Sequence, residues 1–237
     1  MPVVSVTTYR DAGFLPEAFV NFLCLLGWNP GSDIEIMSIG DMIHAFAVEG
    51  LSRKAAIFDP KKLEWMNGQH LMRSSAGRLL PLVARGLADA GVATLEEVES
   101  RRTWFLELID VMKVRARTID DIVQQSRPYV RDDIEYDAGA VAKQWKDADA
   151  TSGVLSAARD RLAAVPDWSA ASLEGALREL ADFLGVAGGK LFQPLRVALT
   201  GSAVSPGIFE VLMILGRGRS MARIDAAIRY LAEHTRA

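Results

Sequence analysis

The sequence predicts an all-α protein. Three observations carry that expectation. Ser, Thr, Asp or Pro residues recur at the heads of apolar runs, which is how helices start. Inside those runs apolar residues return at three- and four-residue spacing, the period of one helix face. No segment alternates apolar and polar residues convincingly enough to read as a strand.

Taken in chain order, "LPEAFVNFLCLLGW" has Pro16 in its first turn and a stop near Gly27. "SIGDMIHAFAVEG" starts at Ser38 and stops at Gly50. In "FDPKKLEWMNGQHLMR", Asp59 is a cap placed before Pro60. "TLEEVESRRTWFLELIDVM" opens on Thr94 with Glu97 three residues on, a capping-box spacing. "TIDDIVQQSRPYV" repeats it with Thr118 and Asp121. "DAGAVAKQWKDADA", "SGVLSAARDRLAAV", "SLEGALRELADFLG", "SPGIFEVLMILG" and "SMARIDAAIRYLAEHT" complete a set of about ten to twelve short helices. There is no low-complexity segment and no fixed-period repeat. Soft joints fall at 87–94 and 146–153, with a weaker one at 163–172.

Composition narrows the function. The 237 residues are half apolar, enough for a real core, and the net charge is −3, so the molecule as a whole does not advertise a polyanion partner. The one cysteine, Cys24, sits in an apolar run and reads as a buried small hydrophobe. A single cysteine permits no internal disulfide, which fits a reducing, cytoplasmic setting. His44, His70 and His234 show no metal-ligand spacing, so no metal site is expected. The "MPVVSVTTYRD" start does not read as a signal peptide, and no apolar run is long enough for a membrane span. No phosphate-cradling glycine loop and no Gly-x-Ser-x-Gly are found, so no catalytic or cofactor-binding residue is assigned. "GVAGGKLF" reads as a helix stop and restart, and the acids of "RDDIEYD" as a solvated turn.

Charge is more informative locally. From Lys113 to Arg131 five bases face two acids, net +3, and from Lys190 to Ala237 seven bases face three acids, net +4. Two basic segments in an acidic protein suit a polyanion held on one face; the plain alternative is a solvated helix face. Arg196 stands apart. Its neighbours Leu195, Val197, Ala198 and Leu199 are apolar, so its stem is half buried and its guanidinium needs acceptors. An internal carboxylate such as Glu210 could supply them, and so could the edge of an unstacked RNA base. The chain breaks beside it at Thr200-Gly201 and restarts at Ser205-Pro206, where a helix start would present backbone N–H donors.

Three ordered stretches then carry a family likeness. "SVTTYRDAGFLPEAFVNFLCLLGWNPG", "AIFDPKKLEWMNGQHL" and "GKLFQPLRVALTGSAVSPGIFEVLMILG" resemble successive markers of the C-terminal part of bacterial glutamyl-tRNA synthetase, a class I aminoacyl-tRNA synthetase. The likeness runs through essentially the whole chain. It implies a helical stem-contact domain over 1–86, a first anticodon-binding helical cage over 87–149 and a second over 150–237. It also implies tRNA-Glu as partner, with tRNA-Gln as the alternative, a monomer, and a role in glutamyl-tRNA formation. Carried onto this sequence, the anticodon-binding candidates are Gln193, Arg196, Ala203, Ser205, Pro206 and Ile208. Arg115 joins them from "MKVRARTI", with Arg117 two residues on.

The departures matter too. The family's ATP- and glutamate-binding half, with its His-x-Gly-His signature, has no counterpart here, and "MPVV" stands where the lysine loop should precede "SVTTYRD". "LSRK" at 51–54 echoes that loop but reads as a turn before "AIFD". The resemblance therefore implies that ATP and magnesium belong to a catalytic half outside this chain, and that the chain alone does not activate glutamate. A non-catalytic helical interaction scaffold, or a truncated paralogue without tRNA binding, is the alternative reading.

Overall fold

The structure, a computed structural model, describes residues 5–52 and 56–234. Thirteen α-helices and one 3-10 turn account for most of them, and among the described residues the only extended pairing is a single bridge between Trp28 and Leu51. The all-α expectation holds. Arg53 and Lys54 of the "LSRK" stretch lie outside the described residues.

The chain forms two compact units, Met1–Ser126 and Arg127–Ala237. The first contains α1 (Val6–Asp11), α2 (Pro16–Gly27), α3 (Ile39–Ala45), a 3-10 turn (Val48–Gly50), α4 (Pro60–Arg73), α5 (Ala76–Asp89), α6 (Leu95–Ser100), α7 (Arg102–Met112) and most of α8 (Ile119–Val130). The second contains the end of α8 and then α9 (Ala138–Gln144), α10 (Ala148–Ala163), α11 (Ala170–Phe183), α12 (Gly188–Thr200) and α13 (Ile208–His234). In the first unit α2 packs on α4 and α5 on α7; in the second, α10 and α12 both pack on α13.

Local chemistry sets most helix starts where the sequence reading put them. Ser38, Thr94 and Thr118 each accept from the backbone three residues on, while Asp41, Glu97 and Asp121 reach back to the cap. Asp59 caps α4 ahead of Pro60. Such caps contribute about 1 kcal/mol each. Some boundaries differ. The segment from Thr94 is two helices, because the chain turns at Arg101 between α6 and α7. The joint expected at 146–153 lies mostly inside α10. The break comes earlier, at Trp145–Asp147, where the Asp147 side chain accepts from Ala150 N at 2.9 Å and starts the helix. Helix α3 ends at Ala45 rather than at Gly50.

Buried amides position the first unit. Asn67 is fully buried; its Oδ1 accepts from Leu15 N at 2.8 Å and its Nδ2 donates to Arg117 O at 2.5 Å. One side chain thus ties the head of α2 to the segment before α8. Gly68 follows because that segment runs so close: a Cβ there would meet Arg117 Nη1 at 2.7 Å and Ala116 O at 3.1 Å. Asn21, also fully buried, accepts at Oδ1 from Met37 N and faces His70 Nε2, both at 3.0 Å. Because Asn21 Oδ1 can only accept, His70 carries its proton on Nε2. Burial holds the His70 pKa below the ordinary imidazole value, with Glu17 opposing and Arg73 reinforcing.

Two predictions follow from this packing. Gly201, which ends α12, has φ 76°, and a Cβ on it would lie 2.0 Å from Glu135 O, whereas nothing lies within 4 Å of a Cβ on Gly175 inside α11. Gly201→Ala is expected to destabilise the protein by more than 2 kcal/mol, roughly the strain of a clash plus a disfavoured φ, and Gly175→Ala to stabilise it by about 0.5–1 kcal/mol. Urea unfolding of both variants measures the two signs. The second prediction concerns acid. The unfolded chain protonates His70 near the ordinary value of about 6.5 and the folded chain only at lower pH, so this contribution is complete above that pH and is lost as pH falls below it. His70→Gln should flatten stability between pH 7.5 and 5.5 relative to the parent; an unchanged slope would assign the acid sensitivity elsewhere.

Candidate nucleic-acid interface

Six of the seven site residues named from the sequence lie together in the second unit. Gln193 and Arg196 sit on α12, three residues apart and so on neighbouring positions of one face. Ala203, Ser205 and Pro206 lie in the loop between α12 and α13, and Ile208 is the first residue of α13. Arg115 belongs to the other unit, exposed in the turn after α7.

The loop is held from both ends. Gly201 takes the left-handed conformation, donates to Val197 O at 2.8 Å and accepts from Asp137 N at 2.8 Å. Thr200 Oγ1 donates back to Arg196 O at 2.9 Å, the usual route for a hydroxyl at a helix end. At the far end Glu210 reaches back to accept from Gly207 N at 2.7 Å, which caps α13.

Arg196 spans this loop. Its Nη1 donates to Ser205 O at 2.9 Å, Ser205 Oγ at 2.5 Å and Pro206 O at 2.5 Å. Bonds to the loop itself thus join the acceptors that the sequence offered for this guanidinium, an internal carboxylate or a base edge. Glu210 accepts from Gly207 N, and the half-buried guanidinium donates to main-chain and hydroxyl oxygens of the loop. Ser205 Oγ donates onward to Pro206 O at 3.0 Å, so the hydroxyl joins the same knot.

The remaining candidates divide by exposure. Ile208 and Pro206 are buried, so their side chains pack the core and only their backbone faces the loop. Ala203 and Ser205 are half buried. Gln193 is half buried and its Oε1 is buried without a hydrogen-bond partner, an unusual state for an amide oxygen.

Two residues escaped the sequence reading. Arg219 and Arg223 are four apart on α13 and therefore share a face. Arg223, only 5% exposed, donates to Leu199 O at 2.5 Å and to Arg131 O at 2.7 Å. Arg219 donates to Tyr129 O at 2.5 Å and Arg131 O at 2.6 Å, and pairs with the exposed Asp132 at 3.0 Å. These acceptors are carbonyls at and just beyond the ends of α8 and α12, groups that no helix bond satisfies there. Burial lowers the Arg223 pKa to about 10, with the neighbouring Arg219 charge as the next cause, so it stays charged at neutral pH. Burial also raises the phenol of Tyr129, which lies against Ser205, and raises that of Tyr136 to about 12. The i, i+4 arginine spacing on an apolar-striped helix was the available signal.

The basic segments change meaning accordingly. Of the bases after residue 189, Arg196, Arg219 and Arg223 serve internal carbonyls, and Arg217 donates to Ala163 O at 3.1 Å while lying 5.1 Å over the Trp168 ring. Lys190 and Arg229 are exposed. In the first segment Lys113 donates to Ser74 O at 2.8 Å, while Arg115, Arg117 and Arg127 remain exposed. Much of the positive charge is therefore structural. Among the described residues no group of three His, Cys, Asp or Glu side chains is arranged to hold a metal ion. No described helix is long and apolar enough to cross a membrane.

A family model for an anticodon binding domain matches residues 76–228, and the chain belongs to that family. A second model, for the catalytic domain of class I tRNA synthetases for Glu and Gln, matches residues 2–65. The particular proteins it is similar to are glutamate–tRNA ligases: 35% identity over 97% of this chain for that of Moorella thermoacetica, and 38% over 97% for that of Anaeromyxobacter. The chain spans about half the length of these curated relatives, 47% and 46% respectively. The crystal structure of a glutamate tRNA ligase from Elizabethkingia meningosepticum in complex with its amino acid superimposes with a TM-score of 0.80 at 29% identity, covering 94% of this chain and 43% of that one.

The brace itself is testable. Arg223→Met strips the buried Leu199 O of its arginine donor, while Arg131 O keeps Arg219, and should cost roughly 1–3 kcal/mol of unfolding free energy in urea. Arg223→Lys should recover only part of that, since a point-like ammonium cannot fork to two carbonyls as a guanidinium does.

Proposed function

We propose that this chain is the tRNA-Glu-recognising part of a glutamate–tRNA ligase and serves glutamyl-tRNA formation in the cytoplasm. The observation that carries the proposal is the anticodon binding domain match over 76–228, on a chain whose α12–loop–α13 segment is held in one shape by Arg196. The reading keeps three functional parts, a stem-contact part over 1–86 and two anticodon-binding parts over 87–149 and 150–237. ATP and magnesium are assigned to the part of such a ligase outside this chain.

The chemistry of recognition is that of a single-stranded loop read by fixed polar groups. Gln193 lies beside Arg196 on the same face of α12 and is the candidate amide contact, Ser205 and Ala203 are the candidate loop edge, and Arg196 holds that loop in register. Arg115, exposed in the other unit, is the candidate for a separate anticodon contact. Because so many arginines serve internal carbonyls, few remain for phosphates, and the salt dependence of binding should be shallow for an RNA-binding protein.

A gel shift against tRNA-Glu, tRNA-Gln and anticodon-swapped tRNA-Glu at two salt concentrations tests this. The chain should bind tRNA-Glu and lose about ten- to hundredfold on anticodon swapping, the scale of one or two base contacts of about 1–3 kcal/mol each. Gln193→Leu should reduce that discrimination without lowering unfolding free energy, and Arg115→Ala should weaken binding alone. Equal affinity for native and swapped anticodons would overturn the proposal.

A further inference from the structure

Helix α13 is not one straight rod. Gly216 has φ 70° and ψ 170°, so the element is two half-helices, 208–215 and 217–234, that meet at a bend. That backbone conformation is open to glycine and to almost no other residue. A Cβ on Gly216 would meet nothing within 4 Å, so no neighbour pressed against this residue imposes the bend. Its cause lies in what holds the two halves.

The connection between α10 and α11 holds both. Arg217, the first residue past the bend, donates to Ala163 O at 3.1 Å, to Val165 O, and to Pro166 O at 3.4 Å. Its guanidinium also lies 5.1 Å over the ring of Trp168. Trp168 is half buried, and its Nε1 donates at 3.1 Å to Leu212 O in the other half. Leu212 is among the last four residues before the bend, whose carbonyls a helix end leaves to outside donors. Trp168 thus touches both halves, one through its ring and the other through its N–H.

The bend matters because the loop between α12 and α13 is anchored on both halves. At the near end, Arg223 of the second half bonds Leu199 O in the last turn of α12. At the far end, Glu210 of the first half accepts from Gly207 N, and the chain enters the core at the buried Ile208. The angle at Gly216 therefore sets the gap that residues 201–207 span. With it goes the reach of Arg196 from α12 to Ser205 O and Pro206 O.

We propose that Trp168 is a positioning residue for the 201–207 loop: by fixing the bend of α13 at Gly216 it sets how far that loop opens, and so its fit to an anticodon. The proposal rests on the functional reading above and adds to it a residue outside the candidate contacts. Trp168 acts through Leu212 and the half-helix whose head carries Gly207.

Trp168→Phe in the intact 237-residue chain tests this, because phenylalanine keeps a ring under Arg217 and removes the N–H donor. Without RNA, the amides of Gly207 and Val211 should exchange about three- to tenfold faster than in the parent, the scale of one lost neutral hydrogen bond, while that of Thr151 in α10 keeps its rate. A purely structural loss would speed all three alike. In the gel shift, the ratio of affinities for native and anticodon-swapped tRNA-Glu should fall by about the same factor. Gly216→Ala, which favours a straight helix, should have both effects, and Trp168→Phe should add under about twofold in that background, since the two act on one bend. Exchange at the parent rate in Trp168→Phe would overturn the inference. So would additive effects of the two substitutions, or an unchanged affinity ratio in a chain that does discriminate. A parent chain that ignores the anticodon would overturn the functional reading instead, and the exchange rates would still decide whether Trp168 sets the loop.

Discussion

The second unit depends on how its helix ends are satisfied. Each α-helix leaves carbonyls at its C-terminus without an internal partner, and burying them bare costs about 1–3 kcal/mol apiece. Here the donors come from arginines on neighbouring elements. Arg223 bonds Leu199 O at the end of α12 and Arg131 O beyond α8, and Arg219 bonds Tyr129 O and shares Arg131 O. A guanidinium suits this role because its planar fork offers several donors at fixed angles and is less strongly hydrated than an ammonium. Arg196 repeats the device on the loop that α12 releases. The interhelical loop therefore inherits its shape from α13 and its own helix, and the few groups it presents are held rigidly.

The first unit solves the same accounting with amides. Asn67 offers one acceptor and one donor group, and both go to main-chain groups far away in sequence. Asn21 uses its Oδ1 alone, accepting from Met37 N and from His70 Nε2. Stretches such as "WMNG" are legible as chemistry: the asparagine supplies the tie, and the glycine leaves room for the segment that it ties. A leucine of similar volume at either asparagine would fill the space and orphan the main chain.

Much of this was legible in the sequence. Capping residues announced themselves because Ser38, Asp59, Thr94 and Thr118 act within a few residues of their own position. The break after Thr200 was equally local, since glycine tolerates the left-handed cap. What failed was anything set by a distant partner. The acceptors of Arg196 are nine and ten residues away, across a loop, and those of Arg219 lie about 90 residues back. Net local charge could not distinguish a base aimed at a phosphate from one bonded to a carbonyl. The burial of the Pro206 and Ile208 side chains was not legible either, because sequence does not show which way a loop residue faces.

This distinction governs how the second unit could handle a polyanion. If its arginines were solvated, attraction would be long-ranged and indifferent to base identity, since phosphates repeat regardless of sequence. With four of them bonded to main-chain oxygens, long-range attraction is sacrificed and geometric definition is gained. Discrimination then rests on short-range groups whose positions cannot relax toward a wrong partner, because moving Ser205 or Pro206 would strip acceptors from a half-buried charge. A loop built in this way resists adapting, and that resistance is what would keep its exposed edge in one arrangement before a mismatched partner.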